Sequence, residues 1–359
     1  MMAVLVQEGL KLRNSPSPTT MAAASSSSRA LNAILPQIPT APYEAHQKAR
    51  TFAARYNKSG QYDTAIDVLF QSARELLKTG QPGSGVDLAG FMLDVYDSKG
   101  ESVNPESRGR LTQLIALTGA EGGWRQTLIH KAIAWSSKHG ENPAGDPELN
   151  YYIGELLAKE GQLDVAEQHL LSSGTRDSAR LLADVYLKWA GSSSSNSFGL
   201  FALRGTIPYL QNGNILAAKT FIKQFTKGLP ASLLSKATTI PVGEVDEVLL
   251  TPEPLVNFSQ LAVVTCQRAH GDKSKVPRES WVRLCGTYQS KGGPLAQPEV
   301  RRALSEIGTL YFAIPPPRTA AANPFGDIMS SLLGGGLGAP AAAAPRRLTP
   351  AGPGNAGLD

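Results

Sequence analysis

Two runs of helical spacing on either side of a glycine-rich link constrain this chain more than any other feature. Tyr43-Glu44-Ala45-His46-Gln47 through Ala54-Arg55-Tyr56, then Tyr62-Asp63-Thr64-Ala65-Ile66, precede the link Gly80-Gln81-Pro82-Gly83-Ser84-Gly85-Val86-Asp87-Leu88. Phe91-Met92-Leu93-Asp94-Val95-Tyr96 follows it. A helix pair, a link and a further helix open an α-solenoid, whose repeats bury their apolar faces only against their neighbours. Gly80 to Gly85 is expected to be a flexible connector within it.

Three further sites share one local grammar. Gly60-Gln61-Tyr62-Asp63-Thr64-Ala65, Gly161-Gln162-Leu163-Asp164-Val165-Ala166 and Gly213-Asn214-Ile215-Leu216-Ala217-Ala218 each set a glycine five residues before an alanine. The glycine ends one helix in the left-handed region, and the small alanine lets the next helix pack closely. That is a tetratricopeptide-type turn, and its irregular recurrence points to a divergent array. Asp146-Pro147-Glu148 reads as an N-cap, a first helical position and an acid placed where the helix dipole favours it. Thr238-Thr239-Ile240-Pro241-Val242-Gly243 and Val248-Leu249-Leu250-Thr251-Pro252 change the texture to two short strands. A hairpin in a helical chain has exposed edges that something must cover, and a partner strand or helix could do so.

The expected fold is therefore all-α, a right-handed α-solenoid of tetratricopeptide-like helix pairs with a short β-hairpin inserted in its C-terminal half. Residues 1–40 read as a disordered low-complexity tail, and Met21 offers a second possible start. The solenoid spans 41–314, with halves at 41–145 and 146–314 and the hairpin at about 238–252. A Ser-rich loop runs from Gly191 to Ser197. Residues 315–359 read as a second disordered tail carrying one amphipathic helix at about 324–333, where Phe325, Ile328, Met329, Leu332 and Leu333 follow helical spacing.

A hydrophobic fraction of 42% supplies a large core, and the net charge of +5 is scattered among acids rather than gathered in a stripe. Nucleic acid is not an expected partner. Two cysteines give no disulfide framework and suit a reducing compartment. No apolar run reaches the ~18 residues of a membrane span, and Met1 to Leu10 lacks the basic start of a secretory signal. The expected address is the cytosol, without membrane insertion.

Candidate chemistry is thin. Cys266, His270 and Cys285 match no zinc spacing and lack a fourth ligand. Gly80 to Gly85 lacks the Gly-Lys-Ser/Thr ending of a phosphate loop. No Gly-x-Ser-x-Gly or His-Glu-x-x-His occurs. The pairs Asp94/Asp97 and Asp63/Asp67 read as solvated helix faces, and His46, His130, His139 and His169 as isolated histidines. Tyr43, Tyr56, Tyr62, Tyr96, Tyr151 and Tyr152 read first as inter-helix packing, with those near the N-terminus as candidate interface anchors. Neither an enzyme nor a cofactor is expected.

These residues resemble the Golgi to ER traffic protein four family, the adaptor of the guided entry of tail-anchored proteins pathway. Tyr43 to Gln47, Arg55-Tyr56, Gly83-Ser84-Gly85 with Asp87-Leu88, and Val95-Tyr96 carry the resemblance in the N-terminal half. Gly145-Asp146-Pro147, Gly174 to Ser178, Asn257-Phe258 with Gln260-Leu261, Thr265-Cys266-Gln267 and Met329 to Gly335 continue it. The resemblance implies a non-enzymatic scaffold whose N-terminal helices bind a dimeric targeting ATPase. It also implies that the C-terminal half holds the N-terminal segment of a ubiquitin-like-domain protein, which recruits a client-loaded co-chaperone. On the ATPase side the candidates are Tyr43, His46, Gln47, Arg50 and Arg55, with Asp87 and Asp94. For the partner groove they are Val245, Val248, Leu249 and Leu250 with Phe258, Leu261 and Val264. The alternative is a tetratricopeptide co-chaperone that clamps an acidic C-terminal peptide of a heat-shock chaperone. That clamp needs converging cations, for which Arg55, Lys58, Lys159 and Lys219 are the candidates.

Overall fold

The computed structural model describes residues 18–192, 197–243, 246–271 and 275–316. Among these described residues are fifteen α-helices and one two-stranded antiparallel hairpin, and the chain divides into two compact units between Ile153 and Gly154. The first unit holds α1 (Pro18–Ile34), α2 (Pro42–Lys58), α3 (Tyr62–Lys78), α4 (Pro82–Lys99), α5 (Pro105–Leu117) and α6 (Trp124–His139). Helix α7 (Pro147–Lys159) crosses the division. The second unit continues with α8 (Leu163–Ser173), α9 (Arg176–Ser192), α10 (Phe198–Gln211), α11 (Ile215–Lys227) and α12 (Ala231–Leu234). It ends with β1 (Thr238–Val242), β2 (Asp246–Leu250), α13 (Pro254–Gln267), α14 (Lys275–Gln289) and α15 (Pro298–Phe312).

In the first unit each helix from α3 to α6 packs on its predecessor and on the helix two places earlier. The turns between helices repeat one geometry. Gly60, Gly80, Gly161 and Gly213 all have positive φ, and the amide of the next residue bonds back to the carbonyl five residues before it. Examples are Gln61 N–H to Tyr56 O at 2.9 Å and Gln81 N–H to Leu76 O at 2.9 Å. This closes the helix end that the glycine spacing anticipates. At Asp146 the anticipated cap is also present, its Oδ1 accepting from Leu149 N–H at 2.8 Å.

Two expectations are corrected. Gly80 to Gly85 is no flexible connector: only Thr79, Gly80 and Gln81 link the helices, and Pro82 already begins α4. Gly85 is there for closeness, because a Cβ on it would lie 2.5 Å from Leu77 Cγ of α3. The N-terminal 40 residues are also not a tail throughout. From Pro18 the chain is helical, and Ala30, Ile34 and Ile38 are buried at i, i+4 and i+8. A bulk Ser/Ala composition hides that stripe.

The amphipathic segment at about 324–333 and the Ser-rich stretch 193–196 lie outside the described residues. No described helix is long and apolar enough to cross a membrane.

Candidate functional site: a polar face and a basic-rimmed hollow

In the first unit α2 supplies Ala45, Ala49 and Ala53 to the core, so its flank sits close to its neighbours. The next stripe around the helix carries Tyr43, His46, Gln47 and Arg50, at the i, i+3, i+4 and i+7 positions of one face. Four of these five N-terminal candidates, with Asp87, form one connected cluster. His46 Nε2 lies 2.8 Å from Asp87 Oδ2, and Arg50 donates to the same oxygen. Gln47 Nε2 sits 3.3 Å from His46 Nδ1, so a tautomer with its proton on Nε2 satisfies both neighbours. The Arg50 guanidinium also stands 5.5 Å over the Phe91 ring. Burial alone would raise the Asp87 carboxyl, but the hydrogen bonds from Arg50 and His46 outweigh it and hold it below the usual carboxylate value. Tyr43, 67% exposed, stands beside the His46 ring at a centroid distance of 6.4 Å.

Arg55 is not part of this cluster. Five residues beyond Arg50, it points about 140° around the helix and is exposed elsewhere. Asp94 lies on the same stripe of α4 as Asp87, two turns on, and is exposed. Phe91 and Trp124 are the residues that spacing did not single out. The Trp124 ring lies against Gly83, where an added Cβ would be 3.3 Å from Cζ2. Aromatic residues inside helical runs default to core, which is why neither was picked.

In the second unit the hairpin pairs Thr239 with Leu249 and Ile240 with Val248. Its inner edge is already covered. Gln260 of α13 accepts from Leu249 N–H at 2.9 Å and donates to Leu249 O at 2.7 Å. Asn257 does the same at Thr251, with both bonds at 2.8 Å. Two side-chain amides one helical turn apart thus take the place of a neighbouring strand. Because Leu249 turns its backbone groups away from β1, its partner Thr239 and, two on, Pro241 turn theirs outward. The outer edge therefore carries a proline, which has no N–H to offer an added strand. What covers this hairpin's inner edge is a helix of the same unit rather than a partner, and Pro241 guards the outer one.

Val248, Leu249 and Val264 line one hollow of about 580 Å3, with Ile222 of α11 and Val263. The rest of the groove set separates. Phe258 is 1% exposed and packs against Tyr288 in the core. Leu261 opens onto another hollow, with Val276, Leu284 and Tyr288 of α14. Leu250 is half-buried beside neither, and Val245 lies outside the described residues. The first hollow is also less apolar than expected. Lys219, Lys223 and Lys227 of α11 and Arg180 of α9 rim it. Lys219 donates to Asp246 at 2.8 Å, and that bond holds the Asp246 carboxyl below its usual value. Since Lys219 is paired there and Lys159 with Glu155 at 3.0 Å, two of the cations that an acidic-peptide clamp would need are already engaged.

Among the described residues no His, Cys, Asp and Glu group could hold a metal. Burial pushes the Cys285 thiol up to about 12 and Cys266 well above its ordinary value, the state of inert packing thiols.

The model of the family described as Golgi to ER traffic protein 4 matches residues 59–333. The chain belongs to the Golgi to ER traffic protein 4 family. It is 34% identical over 311 residues to Golgi to ER traffic protein 4 of Aspergillus fumigatus, covering 82% of this chain and 86% of that one. To the Schizosaccharomyces pombe protein of the same name it is 29% identical, over 82% of this chain and 91% of the relative. The crystal structure of C. thermophilum Get4 superposes with a TM-score of 0.74 at 33% identity, covering 86% of this chain and 96% of that one. The chain itself is mostly helical with a two-stranded antiparallel hairpin in its C-terminal half.

Proposed function

We propose that this chain is a cytosolic, non-enzymatic adaptor in the delivery of tail-anchored membrane proteins to the ER. The α2/α4 face binds the dimeric targeting ATPase, and the hairpin hollow holds the N-terminal segment of a ubiquitin-like-domain protein. That partner recruits a co-chaperone carrying the client. Tethering the loaded co-chaperone to the ATPase raises the effective concentration for handover without any new contact to the client.

One observation carries the ATPase assignment. Tyr43, His46, Gln47, Arg50 and Asp87 form a single connected surface cluster within a chain that belongs to this family. Charged and aromatic groups held in register are what a specific, salt-sensitive association uses. Family membership supports the pathway, and the basic rim with an apolar floor supports a groove for an amphipathic partner segment.

The test is capture of the ATPase by the purified chain, with and without ATP, at low and moderate salt. Nucleotide-dependent, salt-sensitive capture is expected. No capture under any of these conditions would remove the ATPase assignment.

A further inference from the structure

The α2/α4 face continues onto a third helix. His46 meets Asp87 and Arg50 meets Phe91, so α2 and α4 run side by side in the same direction. Trp124 lies against Gly83, and a Cβ on Gly90 would meet Lys131 Nζ at 2.7 Å, so α6 runs parallel to α4 on its other flank. Gly83, Asp87 and Asp94 are therefore the ridge of a three-helix surface, with Tyr43 at the start of α2 and Trp124 at the start of α6.

Trp124 is 43% exposed, yet its position is closely specified. Gly122 and Gly123 both take positive φ, 71° and 70°, a pairing that residues with a Cβ rarely adopt. A Cβ on Gly122 would sit 3.1 Å from Trp124 Cδ1, and one on Gly83 would crowd the far side of the ring. Three glycines thus shape a perch on which a large apolar ring is held against water. Trp124 is not among the buried residues of α6, which are Arg125, Leu128, Ile129, Ala132, Trp135 and Ser136. Asp87 on this ridge is paired with His46 and Arg50, but two other exposed groups of the surface are not paired. Neither Asp94 nor Lys131 has an ion pair among the described residues.

We propose that Trp124 is an apolar anchor of the ATPase-binding face, seated in an apolar pocket of the ATPase, with a cation meeting Asp94 and an acid meeting Lys131 farther along the same face. The inference rests on the ATPase assignment above. Exposed tryptophan, tyrosine and arginine are the residue types that carry most of the energy of such interfaces. Here they are Trp124, Tyr43 and Arg50.

The experiment is an equilibrium titration of the full chain with the ATPase dimer in ATP, using wild type, Trp124→Ala, Gly83→Ala and Arg50→Glu, with a thermal melt of each. Trp124→Ala should weaken binding at least tenfold with an unchanged melt and undiminished capture of the ubiquitin-like partner. Gly83→Ala should weaken it less. The blue shift of tryptophan emission that wild type shows on complex formation should be lost in Trp124→Phe. If Trp124→Ala binds within twofold of wild type while Arg50→Glu fails, the anchor is wrong and the face assignment stands. If wild type itself does not bind, both fall. Should Trp124→Ala melt early, an emission shift that persists in Trp124→Phe overturns the anchor by itself.

Discussion

Asp87 sits between two donors from a neighbouring helix, and its carboxyl is held below the ordinary value. A depressed carboxylate stabilises the fold above its unfolded value of about 4, and that stability drains as pH falls through the folded value. Asp87→Asn should therefore lower the neutral plateau slightly and converge with wild type on the acid side of about pH 4, so that its acid limb is flatter. Urea midpoints measured between pH 3 and pH 7 would check it. A carboxylate whose side chain is 44% exposed keeps the effect small. The cluster was legible because Tyr43, His46, Gln47 and Arg50 recur at helical spacing. Arg55 was misplaced because sequence proximity to Arg50 says nothing about rotation around the helix. Phe91 was missed because its value lies in the guanidinium above it, a tertiary fact.

At the scale of the element, glycine has two separable duties. Gly80 has φ 76° and open space around it, so Gly80→Ala should cost about 1 kcal/mol of backbone strain. Gly85 lies within α4, where alanine is favoured by about 1 kcal/mol, but its Cβ would strike Leu77. Overpacking of that kind costs about 1–3 kcal/mol, so Gly85→Ala should also lower the melting temperature, and its loss should add less than fully to that of Leu77→Ala. The glycine–alanine grammar found three of these four turns. It missed the turn at Gly80 because a glycine stands where the others have alanine. The hairpin was legible from β-branched residues and its flanking prolines, whereas its attachment to α13 was not, since Asn257 and Gln260 read as ordinary polar helix positions. Gln260→Ala would strand both backbone groups of Leu249, at about 2 kcal/mol. Hydrogen exchange at the Leu249 amide should accelerate accordingly.

For the whole molecule, the two faces belong to different compact units, each with its own buried core. Changes at one should leave the other intact. Leu249→Asp places a charge in the floor of the hollow and should abolish capture of the ubiquitin-like partner while the ATPase still binds. Arg50→Glu should do the reverse. Retention of both partners by Leu249→Asp would withdraw the groove assignment. Which of Leu261 and Val264 faces that hollow could not be decided from spacing, because the answer depends on how α11 and α14 flank α13. The amide pair on α13 also sets a chemical lifetime. Asn257 and Gln260 each act as donor and acceptor at once, which an amide can do and a carboxylate cannot. Slow hydrolysis of either side chain to a carboxylic acid would set an anionic acceptor against a backbone carbonyl. The hairpin would then peel from its helix with no change in the coding sequence, so an aged molecule would lose its second partner before its first.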